Sequence, residues 1–196
     1  LLHSLFTDNH DNSPLISRAA CDGAKRYESA CCLAAMFYLL KGVPFIYQGQ
    51  EYGMTTAHYD TIEQFDDIES INAYKEFIQT MSAEEAIEKV NFGSRDNTRH
   101  PIAWDSTPTG GFSTSNKAWI AYHSRQQEVN LENDLAAERS IFRFYQALFT
   151  LLPTAFDEHA HRISFGLRTA FTAAMNLLGL EGDYSMDYKP LVTEEG

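Results

Sequence analysis

Short apolar runs alternate with polar clusters along the first fifty residues of the chain. Leu5-Phe6 gives way to Asn9-His10-Asp11, and Val43-Pro44-Phe45-Ile46-Tyr47 gives way to Gln48-Gly49-Gln50-Glu51 in the same manner. Each pairing predicts a strand that ends in a polar loop. Between them Asp22 to Leu40 predicts one helix, N-capped by Asp22 and stopped at Lys41-Gly42 by a basic last turn and a glycine. Strand, helix, strand is a crossover unit, so both polar ends are expected on one edge of a parallel sheet. Ala30 to Leu40 is apolar almost all round, which predicts a helix covered on more than one side. Val43 to Tyr47 reads as a short, fully buried parallel strand.

After Gly53 the pattern changes. Ile68 to Thr80 has helical spacing, and Ser82-Ala83-Glu84-Glu85 has the spacing of a capping box that opens a further helix toward Val90. Asn91 to Asn116 is rich in Gly, Ser, Thr, Asn and Pro and predicts a long structured loop, with Trp104 anchoring it by burying its ring. Leu135 to Leu152 is helical again and is expected to halt at Pro153. Beyond that proline, weak alternation over 162–172 and an apolar stretch over 175–180 precede a polar tail. The chain holds no internal repeats and no low-complexity tracts, which argues against a solenoid or a linker protein.

Composition narrows the function classes. The 196 residues are 44% hydrophobic and 13% aromatic, enough for a real core. Fifteen basic against twenty-seven acidic residues give a net charge of -12, which disfavours nucleic acid and anionic membrane surfaces and fits neutral polar partners. No apolar stretch approaches the roughly twenty residues of a membrane span, and no basic region precedes a secretory core, so the chain is expected to be soluble. Cys21, Cys31 and Cys32 cannot pair completely and are expected to be small apolar core residues, which suits a reducing cytoplasm. His159 and His161 have alternate spacing with no accompanying acid or cysteine cluster, so neither a metal nor a cofactor is expected.

The strand ends carry the candidate chemistry. Asn9-His10-Asp11 sets an amide, an imidazole and an acid side by side, a group able to bind a polyhydroxylated ligand from several directions. An ordinary turn has the same residues. For Gln48, Gln50 and Glu51 the structural reading is preferred, as polar groups bonding neighbouring loops to brace the rim.

Four ordered segments then carry a resemblance. They are Phe6-Thr7-Asp8-Asn9-His10-Asp11, Arg26-Tyr27-Glu28-Ser29-Ala30, the run Lys41 to Met54, and Gly93-Ser94-Arg95-Asp96-Asn97-Thr98-Arg99-His100-Pro101 with Trp104-Asp105. Together they resemble the alpha-amylase family, within it the oligo-1,6-glucosidase and alpha-glucosidase branch. The resemblance implies an α/β fold, the C-terminal part of a (β/α)8 TIM barrel. Residues 1–152 then hold strands seven and eight with a long loop region over 53–133, and 153–196 is the remnant of a C-terminal antiparallel β domain.

By the same resemblance Asp11 matches the third catalytic carboxylate, which stabilises the oxocarbenium-like transition state, and His10 matches a histidine donating to hydroxyls of the same sugar. Arg95 matches an arginine that reaches the sugar cut from the non-reducing end, and Glu69 falls where relatives have a leaving-group-side carboxylate. Their alternatives are a loop arginine paired with Asp96 or Asp105, and a solvated helix residue. Ser13-Pro14 stands where relatives commonly have Pro-Arg.

The activity implied is retaining hydrolysis of alpha-glucosidic bonds at the non-reducing end of short oligosaccharides. The nucleophile and general acid, about 5 Å apart in such enzymes, belong to strands outside this chain, so it is not expected to hydrolyse anything alone. Two other outcomes fit the resemblance: a sucrose or maltose isomerase or glucosyltransferase of the same fold, and a non-catalytic interaction module.

Overall fold

The computed structural model of the protein describes residues 3–40 and 42–155. Two units divide the chain, Leu1–Tyr145 and Gln146–Gly196. In the first, β1 (His3–Leu5) and β2 (Gly42–Pro44) pair in parallel, with His3 opposite Gly42 and Leu5 opposite Pro44. One further bond, from the Phe45 N–H to the Leu5 carbonyl at 2.8 Å, extends the ladder toward the polar ends. The crossover between them holds two helices rather than one. A short helix, α1 (Leu15–Ala19), precedes α2 (Arg26–Tyr38). Its cap comes from upstream, the Asp8 carboxylate accepting the Leu15 N–H at 2.7 Å. Burial raises the Asp8 pKa, with the Leu15 bond and Arg18 opposing. Asp22 does not cap α2; its carboxylate accepts the Ser17 hydroxyl at 2.6 Å, and the helix starts after Lys25.

Two burial expectations are overturned. Helix α2 buries Ala30, Cys31, Ala34, Ala35 and Tyr38 on one side, while Cys32, Met36 and Leu40, four residues apart, line an exposed stripe. The β2 strand is likewise not enclosed: Val43, Phe45 and Ile46 are exposed. Among the described residues β1 and β2 have only each other as sheet neighbours, so their outer edges pair with no further strand. Of the cysteines, Cys31 is buried and Cys21 and Cys32 are exposed; all three are free.

The chain leaves β2 through a single 3₁₀ turn, Gln50–Tyr52, bounded by Gly49 and Gly53 at φ 83° and 71°. Only glycine holds both ends cheaply, and a Cβ on Gly53 would also lie 2.5 Å from Ile141 Cδ1. Residues 54–57 then run buried into the helical part of the unit. There α3 (Ile68–Phe77) is capped by Asp67, and α4 (Ala83–Gly93) opens with the reciprocal capping box of Ser82 and Glu85, as the spacing predicts. A cluster of Ala57, Tyr59, Phe65, Ile87 and Val90 packs them onto the extended segment, with Tyr59 and Phe65 edge to face at 5.1 Å.

A one-turn helix, α5 (Asp96–Arg99), interrupts the long loop. Trp104 does not anchor that loop with its ring, which is 45% exposed. The backbone does so instead: Trp104 N–H donates to the Gly110 carbonyl at 2.7 Å and its carbonyl accepts from Glu132 at 2.9 Å, while neighbouring Ile102 and Ala103 are buried.

The expected helix over 135–152 is two helices, α6 (Leu131–Ala136) and α7 (Ile141–Ala155). Buried Asp134 makes the break by accepting the Ser140 hydroxyl and the Ile141 and Phe142 N–H groups at 2.7 to 2.9 Å, which caps α7. Helix α7 also runs two residues past Pro153 instead of stopping before it. A proline near a helix end forfeits one bond of a nearly finished ladder, so the cost is smaller than in mid-helix. The expected β-domain remnant, with His159 and His161, lies outside the described residues apart from this helix end.

Candidate functional site

Immediately after β1 the chain folds back on itself. Asn9 Oδ1 accepts the Asp11 N–H at 2.8 Å and the Asn12 amide at 3.0 Å, a tight turn that thrusts His10 and Asp11 outward. Asn9 is therefore the scaffold of the triplet, and His10 and Asp11 are its exposed groups. His10 Nε2 lies 3.2 Å from Asp11 Oδ2.

The other Asp11 oxygen meets the post-β2 segment. Arg99 Nη2 donates to Asp11 Oδ1 at 2.9 Å and Arg99 Nε donates to the His10 carbonyl at 2.7 Å. Arg95 Nη1 approaches the same Asp11 oxygen at 4.0 Å. Arg95 precedes α5 and Arg99 ends it, so the i, i+4 spacing turns both guanidiniums toward one carboxylate.

Arg95 is held from behind. Its Nη2 and Nε lie 2.5 and 3.1 Å from Asp67 Oδ1, and its Nη2 lies 3.5 Å from Glu69. The partner is thus neither Asp96 nor Asp105. Burial alone would raise the Asp67 carboxyl, but hydrogen bonds from Arg95 and from the Ser70 hydroxyl and N–H outweigh it and hold the acid below its ordinary range. Arg95 is correspondingly held above its usual value, chiefly by the Asp67 bond. Buried Asp96 completes the support by accepting the Asp66 and Asp67 N–H groups at 2.7 and 2.8 Å.

Asp11, His10, Arg95 and Glu69 therefore sit in one cluster, although they come from three separate stretches of chain. Arg99 and Asp67 belong to it and were not singled out by the sequence pattern. For Arg99 a usable signal was the spacing of four from Arg95; for Asp67 it was the cap position before α3. Carboxylates and guanidiniums that alternate across an exposed surface offer acceptors and charge-assisted donors to a ligand rich in hydroxyl groups.

Gln50 braces the rim as its composition implied. Its amide donates to Thr7 Oγ1 at 2.6 Å and to the Tyr38 hydroxyl at 2.9 Å, and its Oε1 accepts the Tyr47 N–H at 3.1 Å. One side chain thereby ties the loop after β1 to the loop after β2. Gln48 reaches the Thr98 carbonyl at 3.5 Å, and burial raises the carboxyl of Glu51. Among the described residues no group of three or more His, Cys, Asp or Glu is placed to hold a metal ion.

A family model, alpha amylase catalytic domain, matches residues 1–154. The chain belongs to the alpha-amylase family. Within the family it is 41% identical over 150 residues to an oligo-1,6-glucosidase of Halalkalibacterium halodurans, an overlap of 76% of this chain and 27% of that protein. The crystal structure of Bacillus licheniformis trehalose-6-phosphate hydrolase superposes with a TM-score of 0.73 at 37% identity, covering 79% of this chain and 28% of that one. A trehalulose synthase structure superposes with a TM-score of 0.68 at 34% identity, covering 76% and 27%. The chain thus spans about a quarter of the length of the alpha-amylase relatives it matches.

Proposed function

We propose that this chain supplies part of the sugar-binding face of an alpha-glucosidase that cleaves non-reducing-end glucose from short oligosaccharides with retention of configuration. In this reading β1 and β2 are the seventh and eighth strands of a (β/α)8 barrel, residues 1–152 belong to that barrel, and 153–196 is the remnant of the following β domain. The nucleophile and general acid come from strands four and five of the same enzyme.

The observation that carries the proposal is the convergence of His10 and Asp11, at the end of one parallel strand, with Arg95 and Arg99 beyond the end of the other. Active sites of barrel enzymes stand at this edge of the sheet. Asp11 grips hydroxyls of the reacting sugar and strengthens that grip as positive charge develops on the ring, with His10 donating to the same sugar. Arg95, fixed by Asp67, faces the same ring, and Glu69 lies on the leaving-group side.

The test is kinetic, in the assembled enzyme. Asp11→Asn is expected to lower kcat/KM on p-nitrophenyl alpha-glucoside by at least about a hundredfold, a loss of a few kcal/mol of transition-state binding. Unchanged kinetics rule out the role. The similarity to a trehalulose synthase supports a second outcome on the same site, isomerisation, which depends on how water is kept from the intermediate. Product analysis with sucrose and isomaltose separates the two: free glucose marks hydrolysis, a rearranged disaccharide marks isomerisation.

A further inference from the structure

Two histidines, His100 and His123, are buried against each other. They are 1% and 2% exposed, and their rings meet edge to face with centroids 5.0 Å apart. His100 follows Arg99 directly and closes α5, its N–H donating to the Asp96 carbonyl at 3.2 Å. His123 comes from the segment before α6 and reaches residues 54–57, its Nε2 lying 3.0 Å from the Thr55 carbonyl. Nothing in the sugar-binding reading uses either ring.

The pair has no place for a further proton. A carbonyl only accepts, so His123 carries its proton on Nε2, and its Nδ1 accepts the Arg125 N–H at 2.9 Å. A proton on that Nδ1 would set two donors against each other. On His100 the proton is on Nδ1, 3.0 Å from the Pro101 carbonyl, and the buried Nε2 has no partner among the described residues. A proton there would make a buried cation with an unpaired donor, which is strongly unfavourable. The charged groups that act on His123 are His100, Arg125 and His58, none of them negative. On α5 itself Asp96 turns its carboxylate to the Asp66 and Asp67 N–H groups, and Arg99 turns to Asp11. Burial first, and those cationic neighbours after it, hold His123 at a pKa of about 3, and burial lowers His100 as well.

We infer that His100 and His123 form an acid-sensitive latch that positions Arg99 against Asp11 and opens with the uptake of two protons. Closed, neither ring accepts a proton; once the two segments part, both meet water and titrate near the ordinary value of about 6.5. The latch therefore holds fully above about pH 6.5 and loses its hold as pH falls below that value. Each histidine raises the open population about 25-fold between pH 7 and pH 5, and the pair together about 600-fold. Helix α5 is a single turn, so release of His100 frees its last residue, Arg99, whereas Arg95 stays fixed by Asp67.

Hydrogen exchange on the assembled enzyme tests the latch without reference to activity. The reporters are the His100 and Arg125 amides, whose acceptors are the Asp96 carbonyl and His123 Nδ1. The Leu131 amide, bonded to the Ala103 carbonyl, reports wider unfolding. Measured against an unprotected amide at each pH, opening at the two reporters should rise about 600-fold from pH 7 to pH 5 in the unmodified protein and about 25-fold in His123→Gln, with Leu131 unmoved. A rise of about 25-fold or less in the unmodified protein, or an equal rise at Leu131, overturns the latch, and that comparison stands even should the variant not fold. Kinetics then test the link to Arg99, and this arm alone rests on the proposed glucosidase reading. The acid fall of kcat/KM on p-nitrophenyl alpha-glucoside should contain a two-proton step that Arg99→Ala lacks. Absence of that step, or its persistence in Arg99→Ala, overturns the link. An assembled enzyme that cleaves no glucoside sinks the glucosidase reading and leaves hydrogen exchange to decide the latch.

Discussion

Arg99 and Asp11, separated by 88 positions in the chain, meet across 2.9 Å, and the same guanidinium bonds the His10 carbonyl at 2.7 Å. The arginine thus fixes both the side chain and the backbone of the loop that presents the acid. Arg99→Ala is expected to lower kcat/KM of the assembled enzyme by about ten- to a hundredfold. Arg99→Lys should recover little, because an ammonium cannot reproduce two divergent N–H donors. Combined with Asp11→Asn, the loss should be smaller than the product of the single losses, since the two act as a unit. Fully multiplicative losses would count against the coupling.

Asp67 has two jobs that substitution can separate. It caps α3 through the Ser70 N–H and it anchors Arg95. Asparagine caps as well as aspartate but carries no charge for the guanidinium. Asp67→Asn should therefore keep most of the thermal stability and raise KM, whereas Asp67→Ala should also lose a cap, about 0.5–2 kcal/mol. Thermal unfolding and steady-state kinetics on the pair of variants check this. Equal melting temperatures for the two would rule out the capping role.

His123 makes acid stability predictable in sign. Burial, and secondarily neighbouring His100, push its pKa down to about 3. Its Nδ1 accepts the Arg125 N–H at 2.9 Å, so the proton sits on Nε2, 3.0 Å from the Thr55 carbonyl. An unfolded histidine titrates near 6.5, so below that pH the unfolded chain binds the proton and the folded one does not. The contribution is complete above about 6.5 and is lost as pH falls toward 3, by up to about 1.4 kcal/mol per pH unit. Urea midpoints measured between pH 7 and 5 should fall, and His123→Gln should flatten the fall. An unchanged slope in that variant would exclude His123 as the source.

The outer faces of β1, β2 and α2 predict behaviour in solution. Phe6, Val43, Phe45 and Ile46 are exposed along the sheet, and Met36 and Leu40 on the helix. An open two-stranded sheet with such faces recruits other strands. Purified by itself, the chain should self-associate or bind a partner in sedimentation velocity. A monodisperse monomer with a cooperative thermal transition contradicts this.

What the sequence revealed divides by range. The Ser82 and Glu85 box and the crossover were legible because each depends on residues a few positions apart, or on hydrophobic period, whereas the Asp67 cap of α3 was not read from the sequence. Asp11, His10, Arg95 and Glu69 were legible only through motif resemblance. That four of them share one cluster is a tertiary fact. Arg99 escaped notice because its partner is 88 positions away, and α1 because its cap is Asp8, seven residues upstream of Leu15. Trp104 misled because an aromatic ring argues for burial in general and not at a given place. The break between α6 and α7 was hidden because apolar spacing continues across it, and only the bonds that Asp134 makes to three later groups enforce it.

Ser13 bears on how this chain can be re-engineered. Its buried hydroxyl lies 3.0 Å from the Phe92 carbonyl, 3.1 Å from the Ser94 carbonyl and 3.0 Å from the Asn97 amide. Two residues past Asp11, it rivets the first loop to the segment that carries Arg95 and Arg99. Neither segment is an independent module for exchange among relatives. A graft that brings in a new loop after β2 without a matching residue at Ser13 transplants the arginines and leaves their spacing to the acid behind.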